Sequence, residues 1–249
     1  YFTIHELKWM HKMRWLCGID HGTGDLPRYD LAEAESRVEL IMYFQKLKKL
    51  NYPLKSVVCD GSPEIPRAAQ FVFGKKIIIQ RCTRHFLDDI RRIIASRQNS
   101  EKEQSEIGKF ILLIQGVIEA DTIEEAGENM ALLQKYSTRW KGSLKHEVWN
   151  LFTQTKKELL AHLLHPELNL PHTTNDVESL FKQLNLRLKS LGRFYRFQYA
   201  KDYLNAWALL RRFTPFTDCR GKRRYRNRKA PLELAGCKID NINPLRLKN

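Results

Sequence analysis

Residues 55–85 read KSVVCDGSPEIPRAAQFVFGKKIIIQRCTRH, and this stretch decides the fold class. Residues 55–60, KSVVCD, form a short apolar strand that ends in Asp60, and Gly61-Ser62-Pro63 breaks it. A short helix over about 63–73 stops at Gly74, glycine being the common residue just past a helix end. Residues 76–80, KIIIQ, form a second buried strand, followed by RCTRH and a basic helix from about 86 to 96. Two apolar strands joined through a helix predict parallel pairing, hence an α/β sheet.

Upstream, Arg14 to Asp20 (RWLCGID) reads as a strand that delivers Asp20 to its end, closed by the glycine-rich turn HGTGD at 21–25. Leu26 to Leu31 fits the return strand of a hairpin, which makes the sheet mixed. Residues 33–50 carry apolar side chains at 38, 40, 41, 44, 47 and 50, the spacing of an amphipathic helix, and Asn51-Tyr52-Pro53 stops it. Downstream of 97 the strand signals cease. Residues 98–165 read as helices with polar breaks, and 166–172 (PELNLPH) as a proline-bounded linker. Two more helices follow, at about 173–190 and 196–213. Residues 220–229, RGKRRYRNRK, hold seven basic residues in ten and no acid. Such a run repels itself and is expected to lack fixed structure without a partner. No internal repeat is present.

The 249 residues are long enough for a full core, and a 43% apolar share excludes a disordered chain. Lys and Arg number 43 against 28 Asp and Glu, a formal charge of +15 that suits a polyanionic partner, above all nucleic acid. No apolar run approaches the roughly 18 residues of a membrane span, so no membrane partner is expected. No secretory signal opens the chain, and a start at Tyr1 rather than Met fits a fragment. The cysteines (Cys17, Cys59, Cys82, Cys219 and Cys237) are odd in number and sparse, which argues against a secreted disulfide framework and for a reducing compartment.

The chemistry concentrates in acids. Open α/β sheets build their sites at the carboxyl ends of strands, where Asp20 and Asp60 stand, each followed closely by glycine. Two converging carboxylates repel unless a cation sits between them, and Mg²⁺ or Mn²⁺ takes such oxygen ligands. In a basic protein the pair points to metal-assisted phosphoryl transfer on nucleic acid. The spacing fits equally an Asp that caps the turn after its strand. Glu178, in HTTNDVESLFKQLNLRLKS, is the best third acid. Asn175, Glu178, Lys182 and Asn185 share one polar helical face, opposite Leu180, Leu184, Leu188 and Leu191, with Phe181 alongside. Asn175-x-x-Glu178 also matches a capping box, which needs no metal.

Taken together, these segments resemble one family. VVCDGSPEIPRAAQFVFGKKIIIQRCTRH resembles the region around the second catalytic aspartate of DDE transposases, more narrowly the Mutator-like group and its bacterial insertion-sequence relatives. Asp60-Gly61, Arg67-Ala68-Ala69, Ile77 to Gln80, and Cys82 with His85 carry the likeness. TTNDVESLFKQLNLRLKSLGRF resembles the block of the catalytic glutamate, with Thr174-Asn175 ahead of Glu178. LCGIDHGTGDLPRYDL resembles the first block, and KAPLELAG a short C-terminal segment. Asp25 and Asp30 lie near Asp20, but only Asp20 ends the apolar strand. The likeness covers about 14–95 and 170–236.

The resemblance implies a ribonuclease-H-like fold: a mixed sheet flanked by helices, formed by 1–97 and 166–213 and split by an all-helical insertion at 98–165, with 214–249 a basic C-terminal tail. It implies catalysis by Asp20, Asp60 and Glu178, which would hold two Mg²⁺ or Mn²⁺ ions, with Cys82, His85 and Asn175 in support. It implies DNA strand cleavage and strand transfer, with transposon ends and target DNA as partners and a homo-oligomer on the DNA. The location would be the nucleoid in a prokaryote or the nucleus in a eukaryote. Relatives usually carry an N-terminal DNA-binding region, expected to be absent from this chain. A non-catalytic nucleic-acid-binding remnant and a simple metal-dependent nuclease are the alternatives.

The remaining features have plainer readings beside the functional ones. Cys82-x-x-His85 is half of a zinc-ligand pattern. Cys17 and Cys59 lie three and one residues before their aspartates, so each thiol points to the opposite sheet face, which favours buried packing over a closed zinc site. Arg220, Lys222, Arg223, Arg224, Arg226, Arg228 and Lys229 offer phosphate contacts, and Arg187, Lys189, Arg193 and Arg196 a second basic surface behind Glu178. Trp140, Trp149 and Trp207 fit core positions. Trp140, beside Arg139 and Lys141, also fits stacking on an extruded base.

Overall fold

A computed structural model of the chain describes residues 14–32, 36–96, 101–139, 143–191, 194–239 and 242. In chain order its elements are β1 (Arg14–Cys17), β2 (Tyr29–Ala32), α1 (Arg37–Lys49), β3 (Ser56–Cys59), α2 (Glu64–Phe73), β4 (Ile78–Arg81) and α3 (Thr83–Ala95). Helices α4 (Glu101–Ile118), α5 (Ile123–Arg139), α6 (Ser143–Leu159), α7 (Ala161–Leu164), α8 (Asn175–Leu191), α9 (Phe197–Phe213) and α10 (Pro231–Leu234) follow. The class is α/β, predominantly helical, with two small sheets among the described residues. No described helix is long and apolar enough to cross a membrane. The chain folds as two compact units: Tyr1–Pro53 with Asn175–Asn249, and Leu54–Thr174.

In the first unit β1 and β2 pair antiparallel, from Arg14↔Ala32 to Cys17↔Tyr29. The expected hairpin is therefore present, but β1 stops at Cys17 rather than reaching Asp20. The loop closes on itself instead: the Asp20 amide donates to the Asp25 carbonyl at 2.8 Å, and the Gly24 amide donates to the Asp20 carbonyl at 2.7 Å. Gly24 holds φ +72°, and a Cβ there would sit 2.7 Å from the Phe216 ring. The return strand begins at Tyr29 rather than Leu26. Pro27 has no N–H for a ladder, and Leu26 is buried in the core instead.

Helix α1 is capped by Ser36, whose hydroxyl accepts the Glu39 amide at 3.2 Å, and it buries Leu40, Tyr43, Phe44 and Leu47. The ends of its predicted apolar face, Val38 and Leu50, stay exposed. Trp15, Cys17 and Ile19 of the β1 segment pack against Val177, Leu180, Phe181, Leu184 and Leu188 of α8, and against Leu204 and Ala208 of α9. Trp15 meets Phe181 and Trp207 edge-on, with ring centroids 5.4 and 5.7 Å away. Burying Leu180, Phe181 or Leu184 contributes roughly 1.5–3 kcal/mol each. The predicted apolar face of α8 is thus the buried one, except for Leu191, which is exposed.

In the second unit β3 and β4 pair parallel through α2, from Ser56↔Ile78 to Cys59↔Arg81, as the strand–helix–strand reading predicts. Helix α3 begins three residues earlier than expected: the Phe86 amide already bonds to the Cys82 carbonyl at 3.1 Å. Beyond it the chain is helical, as expected. Helices α3 to α6 close a core of Phe86, Ile90, Phe110, Ile114 and Phe152, with Trp149 packed against it. The linker after α7 contains a 3-10 turn, Pro166–Leu168.

The basic run departs from expectation. Gly221–Arg226 forms a 3-10 turn, and the Phe216 and Asn227 backbones pair. Charge repulsion is eased because two of the cations are taken up by partners in the fold. Arg223 grips Asp176, and Arg226 is buried, donates to the His21 carbonyl and lies 6.0 Å from the Phe216 ring centroid.

Candidate functional site

Asp20 stands in the loop beyond β1, half-buried. One carboxylate oxygen accepts both the Thr23 amide and the Thr23 hydroxyl at 2.8 Å, and the other accepts the Tyr52 hydroxyl at 2.5 Å. Burial pushes this carboxyl up, but the bonds from Tyr52 and Thr23 outweigh it and hold the group below the usual carboxylate range. Burial and the adjacent Asp20 charge in turn raise the Tyr52 phenol. Asp20 therefore caps its turn, as the plainer reading holds, and does so as an anion. Asp25 is buried in a bidentate pair with Arg212 at 2.7 and 2.9 Å, and Asp30 pairs with Arg28 and Lys46. Asp20 thus differs from both neighbours in having neutral donors on its carboxylate.

The packing of α8 on β1 brings the start of that helix to Asp20's end of the strand. Asp176, in the first turn, takes the adjacent His21 ring at 2.9 Å and both terminal nitrogens of Arg223 at 2.5 and 2.9 Å. Burial opposes ionisation of Asp176, but His21 and Arg223 prevail and lower it to about 2. Glu178, two residues on, is half-buried, and Asn175 and Lys182 are exposed on the same polar side. The helix begins at Asn175 itself, one residue earlier than a capping box on Asn175 would place it.

Asp60 belongs to the second unit. One of its oxygens accepts the Ser62 amide at 3.0 Å, so it too caps the turn after its strand. A Cβ on Gly61 would lie 2.8 Å from the Asp89 carboxylate and 3.0 Å from the Arg81 guanidinium, so a side chain there would make both of these ends shift. Asp60 and Cys82 leave adjacent strand ends: Cys59 pairs with Arg81, and the Cys82 amide donates to the Cys59 carbonyl at 2.8 Å. The Thr174 hydroxyl lies 3.4 Å from both the Cys82 sulfur and the His85 Nδ1. Burial raises the Cys82 thiol, but bonds from His85 and Thr174 bring it below its ordinary value. Cys82 thus lies next to the strand end that precedes Asp60, and Thr174 links it to His85. Cys17 and Cys59 are buried, free and raised mainly by that burial, which agrees with packing.

Among the described residues, no three His, Cys, Asp or Glu side chains already form a group that would hold a metal ion. Of the cations read as phosphate contacts, Arg187, Lys189, Arg196, Arg220, Lys222, Arg224, Arg228 and Lys229 are exposed, whereas Arg223 and Arg226 are committed to the fold. Arg193, Trp140 and Lys141 lie outside the described residues. Sequence reasoning missed Tyr52, Asp176 and Arg212. Thr23, three residues after Asp20, was legible as a turn spacing, but nothing local announces a tyrosine 32 residues away.

A cavity of about 1100 Å³ in the first unit is lined by Asp20, Thr23, Tyr52, Phe197, Lys201 and Arg212, among others. Models of known protein families give no match to this chain, and curated proteins give none either.

Proposed function

We propose that this chain is the catalytic core of a DDE-type DNA transposase, with a ribonuclease-H-like arrangement and Asp20, Asp60 and Glu178 as its acids. The packing of α8 on β1 carries this reading, because it brings the Glu178-bearing turn to the strand end that presents Asp20. Asp60 follows the end of β3 in the second unit, on the strand next to the one that leads to Cys82. The donor set is all carboxylate oxygen, which suits Mg²⁺ or Mn²⁺. Bound there, two such ions would activate a water or a DNA 3′-hydroxyl and stabilise the leaving 3′ oxygen. Asp20 is kept anionic by Tyr52 and Thr23 and needs no proton loss to bind a cation. The exposed cations hold the DNA backbone. The reading requires the three carboxylates to meet when metal and DNA bind.

A second reading, a nucleic-acid-binding protein without turnover, is favoured by the turn-capping bonds that already occupy Asp20 and Asp60. Nicking and strand-transfer assays in Mn²⁺ on supercoiled plasmid with an oligonucleotide donor separate them. The catalytic reading expects metal-dependent nicking that Asp60→Asn and Glu178→Gln abolish in folded, DNA-binding protein. Binding with no metal-dependent product in the wild type supports the second reading. Nicking without joining supports a simple nuclease.

A further inference from the structure

Between Glu178 and Asp202 the sequence contains no acid, while cations recur throughout. Aromatic residues interleave with them at Phe194, Tyr195, Phe197 and Tyr199. Their placements differ in a telling way. Phe194 is an anchor, packed on Tyr203 at 5.6 Å and joined to the core. The other three face solvent: Tyr195 is 89% exposed, Tyr199 54% and Phe197 43%. A single exposed ring needs no explanation, but three within five residues, flanked by cations, do. The Arg196 guanidinium lies 5.8 Å from the Tyr199 ring centroid. One helical turn separates Phe197 from Lys201, and both line the cavity that also holds Asp20 and Tyr52.

We propose that the segment from Tyr195 into the first turn of α9 is a stacking platform for unpaired bases of single-stranded nucleic acid, with Arg196 and Lys201 on its phosphates. Every base has a π-face, so tyrosine rings bind strands without reading their sequence. In a duplex those faces are covered by neighbouring bases, so the platform prefers single strands. Phe197 and Lys201 join the segment to the cavity that Asp20 lines. A membrane surface fits less well: α9 turns Ala200, Leu204 and Ala208 inward, leaving no continuous aliphatic face to enter lipid. The inference rests on the nucleic-acid part of the reading above and not on its cleavage chemistry.

Fluorescence anisotropy of the full chain tests it, with a labelled oligo-dT strand, a labelled duplex of equal length and, separately, phosphatidylserine-containing vesicles. The double variant Tyr195→Ala/Tyr199→Ala should lose roughly tenfold or more in affinity for the single strand and little for the duplex. The double variant Tyr195→Phe/Tyr199→Phe, which keeps both rings, should bind like wild type. If the alanine variant binds the single strand as tightly as wild type, the platform is overturned while duplex binding leaves the nucleic-acid reading standing. If wild type binds neither nucleic acid, both fail. If the alanine change weakens vesicle binding alone, the surface belongs to a lipid partner and the proposal is overturned.

Discussion

Tyr52 and Asp20 illustrate how a strand-end acid is held ready in its charged form. The phenol supplies a strong neutral donor, and a hydrogen bond to a charged group contributes about 1.5–3 kcal/mol. Replacing Tyr52 by Phe leaves burial less opposed, so the Asp20 carboxyl should titrate at higher pH, as measured by carboxyl-carbon NMR. An unchanged titration would mean that Thr23 alone sets the charge. Asp176 gives a second acid-range signal. Its folded value of about 2 lies below the ordinary 3.8, so its bonds stabilise above the ordinary value and are lost as pH falls from about 4 to about 2. The difference corresponds to about 2 kcal/mol. Asp176→Asn should remove that part of the acid dependence of unfolding, with the cost of the change seen chiefly at neutral pH.

Elements were more legible than their junctions. The parallel pair β3–β4, the hairpin and the helical stretch after 97 follow from apolar periodicity and turn residues, because each is decided within a dozen residues. The end of β1 was not, because Asp20 is diverted by a bond to Asp25 that apolar patterning does not encode. The apolar face of α8 was readable from its leucines, but its packing on Trp15 joins residues far apart in the chain. The basic run misled most: composition announces its charge but not the Asp176 and Phe216 surfaces that receive it. Gly24→Ala forces a side chain into φ +72° against the Phe216 ring, and a thermal melt should show destabilisation of at least about 1–2 kcal/mol. Glu178→Gln should change the melt by no more than about 1 kcal/mol, since it keeps the side-chain shape and removes only a charge near the helix start.

Across the molecule, the charge of +15 is divided between cations that build the fold and cations that remain open to a partner. Deleting 220–229 would remove both kinds, so substitution is the cleaner test. Exchanging Arg220, Lys222, Arg224, Arg228 and Lys229 for Ser spares Arg223 and Arg226. It should weaken DNA binding for all sequences alike and lower the log–log salt slope by up to about 0.9 for each phosphate no longer neutralised. A slope equal to wild type would place the DNA elsewhere. Anomalous diffraction from the full chain crystallised with DNA and Mn²⁺ reads directly whether Asp20, Asp60 and Glu178 meet around metal. The account predicts two Mn²⁺ peaks roughly 3.5–4 Å apart, touching all three carboxylates. Peaks that exclude Asp60 or Glu178, or no peak at Asp20, would contradict it.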